Sequence, residues 1–204
     1  PKNPSFFNRD RIVLSSAHIA PLYYAMLYMS GYPISKDDLM NFRRLGYSAP
    51  GMPELNNPSG VEVSTGISGD GVANAVGIAL GRRYLENLIK KEDEKLNLLD
   101  FVTYCFLSDA DIINGTSEEA FSIAGVQRLE NLIFLYDANN MMAEGPTSQV
   151  FAEDLSRKFQ SKGFYVDSLK DSSNIKEIAR ALESAKKARK PALLIFQNVI
   201  GKDS

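Results

Sequence analysis

Hydrophobic and polar positions alternate with two different periods along the second half of the chain. Phe101-Val102-Thr103-Tyr104-Cys105-Phe106-Leu107 is a short, nearly continuous run rich in aromatic and β-branched residues, the pattern of a strand covered on both faces. Further runs of this kind occupy residues 131–137, 163–168 and 191–197. Between them the period lengthens to that of a helix. Ser117-Glu118-Glu119-Ala120 opens one helix, in which Ala120, Ile123 and Ala124 share a face, and residues 152–162 and 174–189 form two more. This alternation predicts right-handed crossovers and a doubly wound α/β fold, a mainly parallel sheet with helices on both faces.

The first half is more helical. Over residues 17–30, Leu22, Ala25, Met26 and Met29 form one apolar face, read as core, and Pro21 sits in the first turn, where its missing N–H costs little. Residues 43–69 carry Gly or Pro at 46, 50, 51, 53, 58, 60, 66 and 69. That stretch predicts a long loop held over a scaffold, and loops of such length are often functional. A helix then runs to about Ile89, with Asp70 as its expected N-cap. No repeat, low-complexity tract or linker interrupts the chain, so one domain spanning residues 1–204 is expected.

Composition narrows the possibilities. With 204 residues and a hydrophobic fraction of 44%, the chain can bury one sizeable core. Its 23 basic and 25 acidic residues are intermixed and leave a formal charge of −2. No basic stripe exists to grip nucleic acid or an anionic membrane. No apolar stretch reaches the roughly 18 residues that a bilayer span needs, so a soluble, cytoplasmic protein is expected. Cys105 is the only cysteine and lies inside an apolar run, which excludes an internal disulfide framework and reads as inert core. The chain opens on Pro1 rather than Met and stops at Ile200-Gly201-Lys202-Asp203-Ser204. Further sequence is expected at both ends, in a longer chain or a split subunit.

Asp109 follows the first buried strand and Asn139 the second. In a doubly wound sheet both stand at carboxyl ends of strands, where such folds bind ligands. A hard divalent cation takes oxygen ligands, and an Asp carboxylate, an Asn amide oxygen and one backbone carbonyl leave positions open for phosphate oxygens and water. An Asp after a strand serves as often as a helix cap. His18 opens a helix, where an imidazole can donate to an anion beside free backbone N–H groups, although a structural histidine is the plainer alternative.

Several blocks carry a family resemblance. Ser108-Asp109-Ala110, thirty positions before Asn139, resembles the Gly-Asp-Gly…Asn signature of thiamine-diphosphate enzymes. Asn8-Arg9-Asp10-Arg11-Ile12-Val13-Leu14-Ser15, Pro50-Gly51-Met52-Pro53-Glu54, residues 60–66 and Ala73-Asn74-Ala75-Val76-Gly77 resemble transketolase in particular, and the Asn8–Arg11 and Pro50–Glu54 segments favour it over the deoxyxylulose phosphate synthase of the same superfamily. The resemblance implies a thiamine-diphosphate-binding fold with Asp109 and Asn139 as side-chain metal ligands and Met141 as a backbone-carbonyl ligand. It implies Mg2+, or Ca2+ or Mn2+ in its place. By the same resemblance His18 is a catalytic residue that contacts the diphosphate, while Gly66, Ser68 and Ala110 line the cofactor. Sugar phosphates as substrates, a homodimer, and a pyrimidine-binding domain in cis or in trans complete the implied picture.

The departures from the family pattern gather at the site. Ser108 and Ala110 replace both glycines, Met52 stands in place of a histidine that serves the substrate, Ser68 replaces a leucine, and Asp70 replaces a glutamine. Asn114 replaces a glutamate of an acidic network that couples paired sites, a network of which Glu119 is retained. Side chains at 108 and 110 would strain the site if the backbone there were restricted to glycine. Two functions therefore stand: a transketolase moving a two-carbon ketol unit between sugar phosphates, and a non-catalytic homologue that keeps the fold for assembly.

Overall fold

The computed structural model describes residues 3, 5–93, 95, 96 and 98–201. Pro1, Lys2, Pro4, Lys202, Asp203 and Ser204, on which the expectation of further sequence rests, lie outside the described residues. The chain runs β1 (Arg11–Leu14), α1 (Ala20–Met29), α2 (Lys36–Met40), α3 (Asp70–Glu92), β2 (Thr103–Leu107), α4 (Asp109–Ile112), α5 (Gly115–Val126) and β3 (Leu132–Ala138). It continues through β4 (Met141–Met142), β5 (Gly145–Pro146), α6 (Leu155–Ser161), β6 (Tyr165–Leu169), α7 (Ile175–Lys187) and β7 (Ala192–Gln197). Five strands form one sheet in the order β1-β2-β3-β7-β6, and every neighbouring pair is parallel. β4 and β5 make a small antiparallel hairpin beside it.

Alternate residues of β3 build the two faces. Leu132, Phe134 and Tyr136 join Val72, Val76, Phe121 and Phe159 under α3, α5 and α6. Ile133 and Leu135 meet Ala181 and Ala185 of α7. Four rings, Phe121, Phe134, Phe159 and Phe164, pack with centroids 4.8–6.3 Å apart, within the range where aromatic pairs add to simple burial. The sequence pattern credited Ile123 with a core position, but Ile123 is exposed and Phe121 holds that place.

Two other expectations are corrected. Leu22, Met26 and Met29 are exposed, and α1 buries Ala20, Tyr23, Tyr24 and Leu27 instead. The ten residues of α1 carry no charge, so their periodicity could not choose a face. Hydrogen bonding could: the Tyr23 hydroxyl donates to the Gly60 carbonyl at 2.8 Å. Tyr24 is buried beside it with its hydroxyl unpartnered among the described residues, and burial, then Glu54, push its phenol up to about 12. Second, Asp70 is the first residue of α3 rather than its cap, because Gly69 holds the N-cap at φ 92°. A Cβ at Gly69 would lie 2.5 Å from Asn114 Oδ1 and 2.9 Å from Ser117 Oγ, so only glycine fits there. Residues 43–69 contain neither helix nor strand, as their Gly and Pro content predicts.

α3 also rests directly on β1, since a Cβ at Gly71 would collide with the Ser15 backbone. Gly71→Ala is therefore expected to destabilise the fold by about 1–3 kcal/mol, as overpacking does. Gly77→Ala, on the open side of α3 with nothing within 4 Å, is expected to stabilise it by about 0.5–1 kcal/mol through helix propensity. Urea denaturation of both variants measures the contrast.

Candidate functional site

Three sheet neighbours bring the candidates to one edge. His18 follows β1 in the 3-10 turn Ala17–Ile19, Asp109 follows β2 as the first residue of α4, and Asn139 follows β3. Leu107 pairs with Tyr136 across β2 and β3, so Asp109 is level with Ala138 and Asn139 lies one residue beyond. Ligands of open α/β sheets bind at this carboxyl edge.

Asp109 is 2% exposed. The Tyr136 hydroxyl donates to its Oδ1 at 2.5 Å, while its Oδ2 is buried with no partner among the described residues. Burial pushes the Asp109 carboxyl up, against the lowering effect of the Tyr136 bond. Burial and the same bond push the Tyr136 phenol well above its usual range. A buried carboxylate oxygen without a donor is costly unless a cation meets it. The site thus supplies an unmet demand for positive charge.

Asn139 is held from both sides. Its Nδ2 donates to Asp137 Oδ2 at 3.1 Å, and Asp137 Oδ1 accepts from Asn198 Nδ2. This turns the amide oxygen the other way, where it accepts from the Met141 N–H at 3.0 Å and keeps a lone pair. Met141 pairs in register with Pro146, which has no N–H to offer its carbonyl. Among the described residues no three His, Cys, Asp or Glu side chains gather as a metal group. A cation at this edge would depend on one carboxylate, one amide and a backbone carbonyl, a set suited to a hard divalent ion.

The remaining candidates surround this pair. The His18 imidazole is exposed and unengaged among the described residues. Gly66 and Ser68 lie in the loop before α3, and the Met52 thioether fills the space beside Gly66, where a Cβ would come within 2.5 Å of its sulfur. Ser108 has φ −118° and ψ 179°, and Ala110 lies in the α4 turn. Neither adopts a backbone reserved for glycine, so the strain expected from these replacements is absent. Asn114 caps α5 by accepting from the Thr116 N–H at 2.9 Å, and Glu119 is exposed.

The sequence reading missed Asp111. It is fully buried, and its Oδ1 accepts from Ser15 Oγ at 2.6 Å and from the Gly69 N–H at 2.8 Å. Its Oδ2 accepts from the Ser108 N–H at 2.8 Å and from Ser108 Oγ at 3.0 Å. One carboxylate thus joins the ends of β1 and β2 to the start of α3. The Ser108-x-x-Asp111 spacing after a strand, a capping box, was the available signal.

The family model described as the transketolase thiamine diphosphate binding domain matches residues 1–204. The transketolase of Halalkalibacterium halodurans is 39% identical over 201 residues, 98% of this chain and 30% of that protein. The crystal structure of transketolase from Campylobacter jejuni superposes with a TM-score of 0.90 at 43% identity, over 97% of this chain and 30% of that one. Transketolase from Pichia stipitis in complex with sedoheptulose 7-phosphate gives 0.91 at 39% identity, over 97% and 29%. The chain therefore spans about a third of the length of these relatives or less.

Two outcomes follow from the geometry. Asp109, with its pKa raised, holds its proton more tightly in the folded than in the unfolded chain. That contribution to stability is full below the unfolded carboxylate range and is lost as pH rises through the folded pKa. Asp109→Asn is therefore expected to melt no lower than the unsubstituted protein at pH 7 without metal. Any rise in melting temperature that added Mg2+ gives the unsubstituted protein, about 2.7 kcal/mol at a hundredfold excess over Kd, should be absent from this variant. Asp111→Ala, which strands the Ser15, Gly69 and Ser108 donors, is expected to cost about 3 kcal/mol or more by urea denaturation, at roughly 1–3 kcal/mol per buried unmet group.

Proposed function

The chain belongs to the transketolase family through its thiamine-diphosphate-binding domain, and on that premise we propose that it forms the diphosphate and metal half of a working transketolase site. The buried, partnerless Oδ2 of Asp109 carries this reading. Asp109, the Asn139 amide oxygen and the Met141 carbonyl would hold a divalent cation, with Mg2+ the first choice, and the cation would bind the diphosphate. Thiamine diphosphate, when bound, supplies the nucleophilic carbon that carries a two-carbon ketol unit between sugar phosphates. A relative crystallised with sedoheptulose 7-phosphate supports that substrate class.

Each residue has a definable task. Tyr136 orients Asp109 through a hydrogen bond and leaves the second oxygen free. Asp137 orients Asn139. His18, exposed at the same edge, is free to donate to an anion and to line the substrate entrance. Gly66, Ser68 and Ala110 would flank the cofactor. Met52, a thioether in place of a histidine, can neither donate strongly nor titrate, so any hydrogen bonds to substrate fall to other groups. The reading includes a cytoplasmic protein, a homodimer, and a pyrimidine-binding domain in the same or a separate chain.

The rival is a non-catalytic homologue, favoured by Met52 and Asn114 but not by Ser108 and Ala110, whose backbone is unstrained. Calorimetric titration of the complete protein with thiamine diphosphate separates the two: saturable binding that requires Mg2+ is expected, and no measurable binding would sink the enzymatic reading. In a ketol-transfer assay the isolated 204-residue chain is expected to be silent. Adding a transketolase pyrimidine-binding domain should restore turnover.

A further inference from the structure

A polar cleft of about 560 Å³ opens between the later half of α3, the α5–β3 turn and the α7–β7 turn. Arg82, Arg83, Lys90, Arg128 and Arg189 line it, against the carboxylates Glu86 and Glu130. The cations are thus in excess, on a chain whose formal charge is −2. Arg83 lies thirteen residues along α3 from Asp70, about 20 Å at the helical rise. The cleft therefore stands well apart from the carboxyl edge of the sheet.

Its wall is fixed and its mouth is not neutralised. Arg82 donates to the carbonyls of Phe101 at 2.7 Å and Leu99 at 3.0 Å, and Arg83 donates to the Gln127 carbonyl. Glu86 is occupied by Lys90 at 2.6 Å and by Arg82 at 3.5 Å. The exposed guanidinium groups of Arg128 and Arg189 have no partner among the described residues. Both residues hold left-handed backbone, at φ 48° and 51°, which Gly or Asn would adopt at lower cost. Each stands just before a buried strand, β3 or β7, and those strands are neighbours.

We propose that this cleft binds a small anion bearing one or more phosphate groups, gripped by the Arg128 and Arg189 forks with Lys90 adding charge. Guanidinium forks match phosphate oxygens two at a time, and the surplus positive charge draws the anion in. The probe is pyrophosphate, titrated calorimetrically into the complete protein at low ionic strength with EDTA present. Saturable binding is expected without metal, unchanged in Asp109→Asn and weakened at least tenfold in the double variant Arg128→Asn/Arg189→Asn. Asn tolerates the left-handed backbone, and Lys90→Gln, which leaves both turns untouched, should weaken binding severalfold. Three results would overturn the proposal: binding that requires Mg2+ or Asp109, affinity indifferent to all of these arginine and lysine changes, or tighter binding of an oligoglutamate peptide than of pyrophosphate.

Discussion

The carboxylate of Asp111 is the constraint on which the candidate site depends. It is fully buried, yet each of its lone-pair positions meets a donor, from Ser15, Gly69 and both the backbone and side chain of Ser108. Such a group is stable only as a complete set, because any donor moved away is left in a dry interior. It fixes the turn that presents Asp109, the glycine that starts α3 and the end of β1 that leads to His18. Asp109, two residues away in the same turn, keeps the unmatched oxygen.

The scaffold was legible where burial was continuous. β2, β3 and β7 are covered on both sides, so their apolar runs needed no alternation to be recognised. β1 was not legible: four residues at the sheet edge, of which only Val13 and Leu14 are buried, carry too little pattern. α1 was recognised as a helix but turned the wrong way, since an uncharged segment has no polar side to exclude. The same physics explains the site. Asp109 and Asn139 announced themselves by following strands, whereas Tyr136 and Asp111 act through contacts that only the closed sheet creates.

The Asn8-Arg9-Asp10-Arg11 block marked the family, but its visible work is mechanical. Asn8 Oδ1 accepts from the Asp100 and Phe101 N–H groups, and Asp10 Oδ1 accepts from that of Val102 at 2.8 Å. Arg9 and Arg11 both pair with Glu62, and Arg11 lies 4.8 Å from the centre of the Phe101 ring. The block latches the starts of β1 and β2 together and anchors the long loop to them. A recognisable motif is thus not always a reacting one, and here it secures the end of the sheet opposite the candidate site.

The outward face of α1 has a cellular consequence. Leu22, Met26 and Met29 are at least half exposed, beside two tyrosines that commit the rest of the helix to the core. A patch of this kind is what chaperones and quality-control proteases survey, and the steady-state level of a protein follows how long such surface stays uncovered. Exposure of this kind makes the abundance of a domain a matter of surveillance as well as of synthesis.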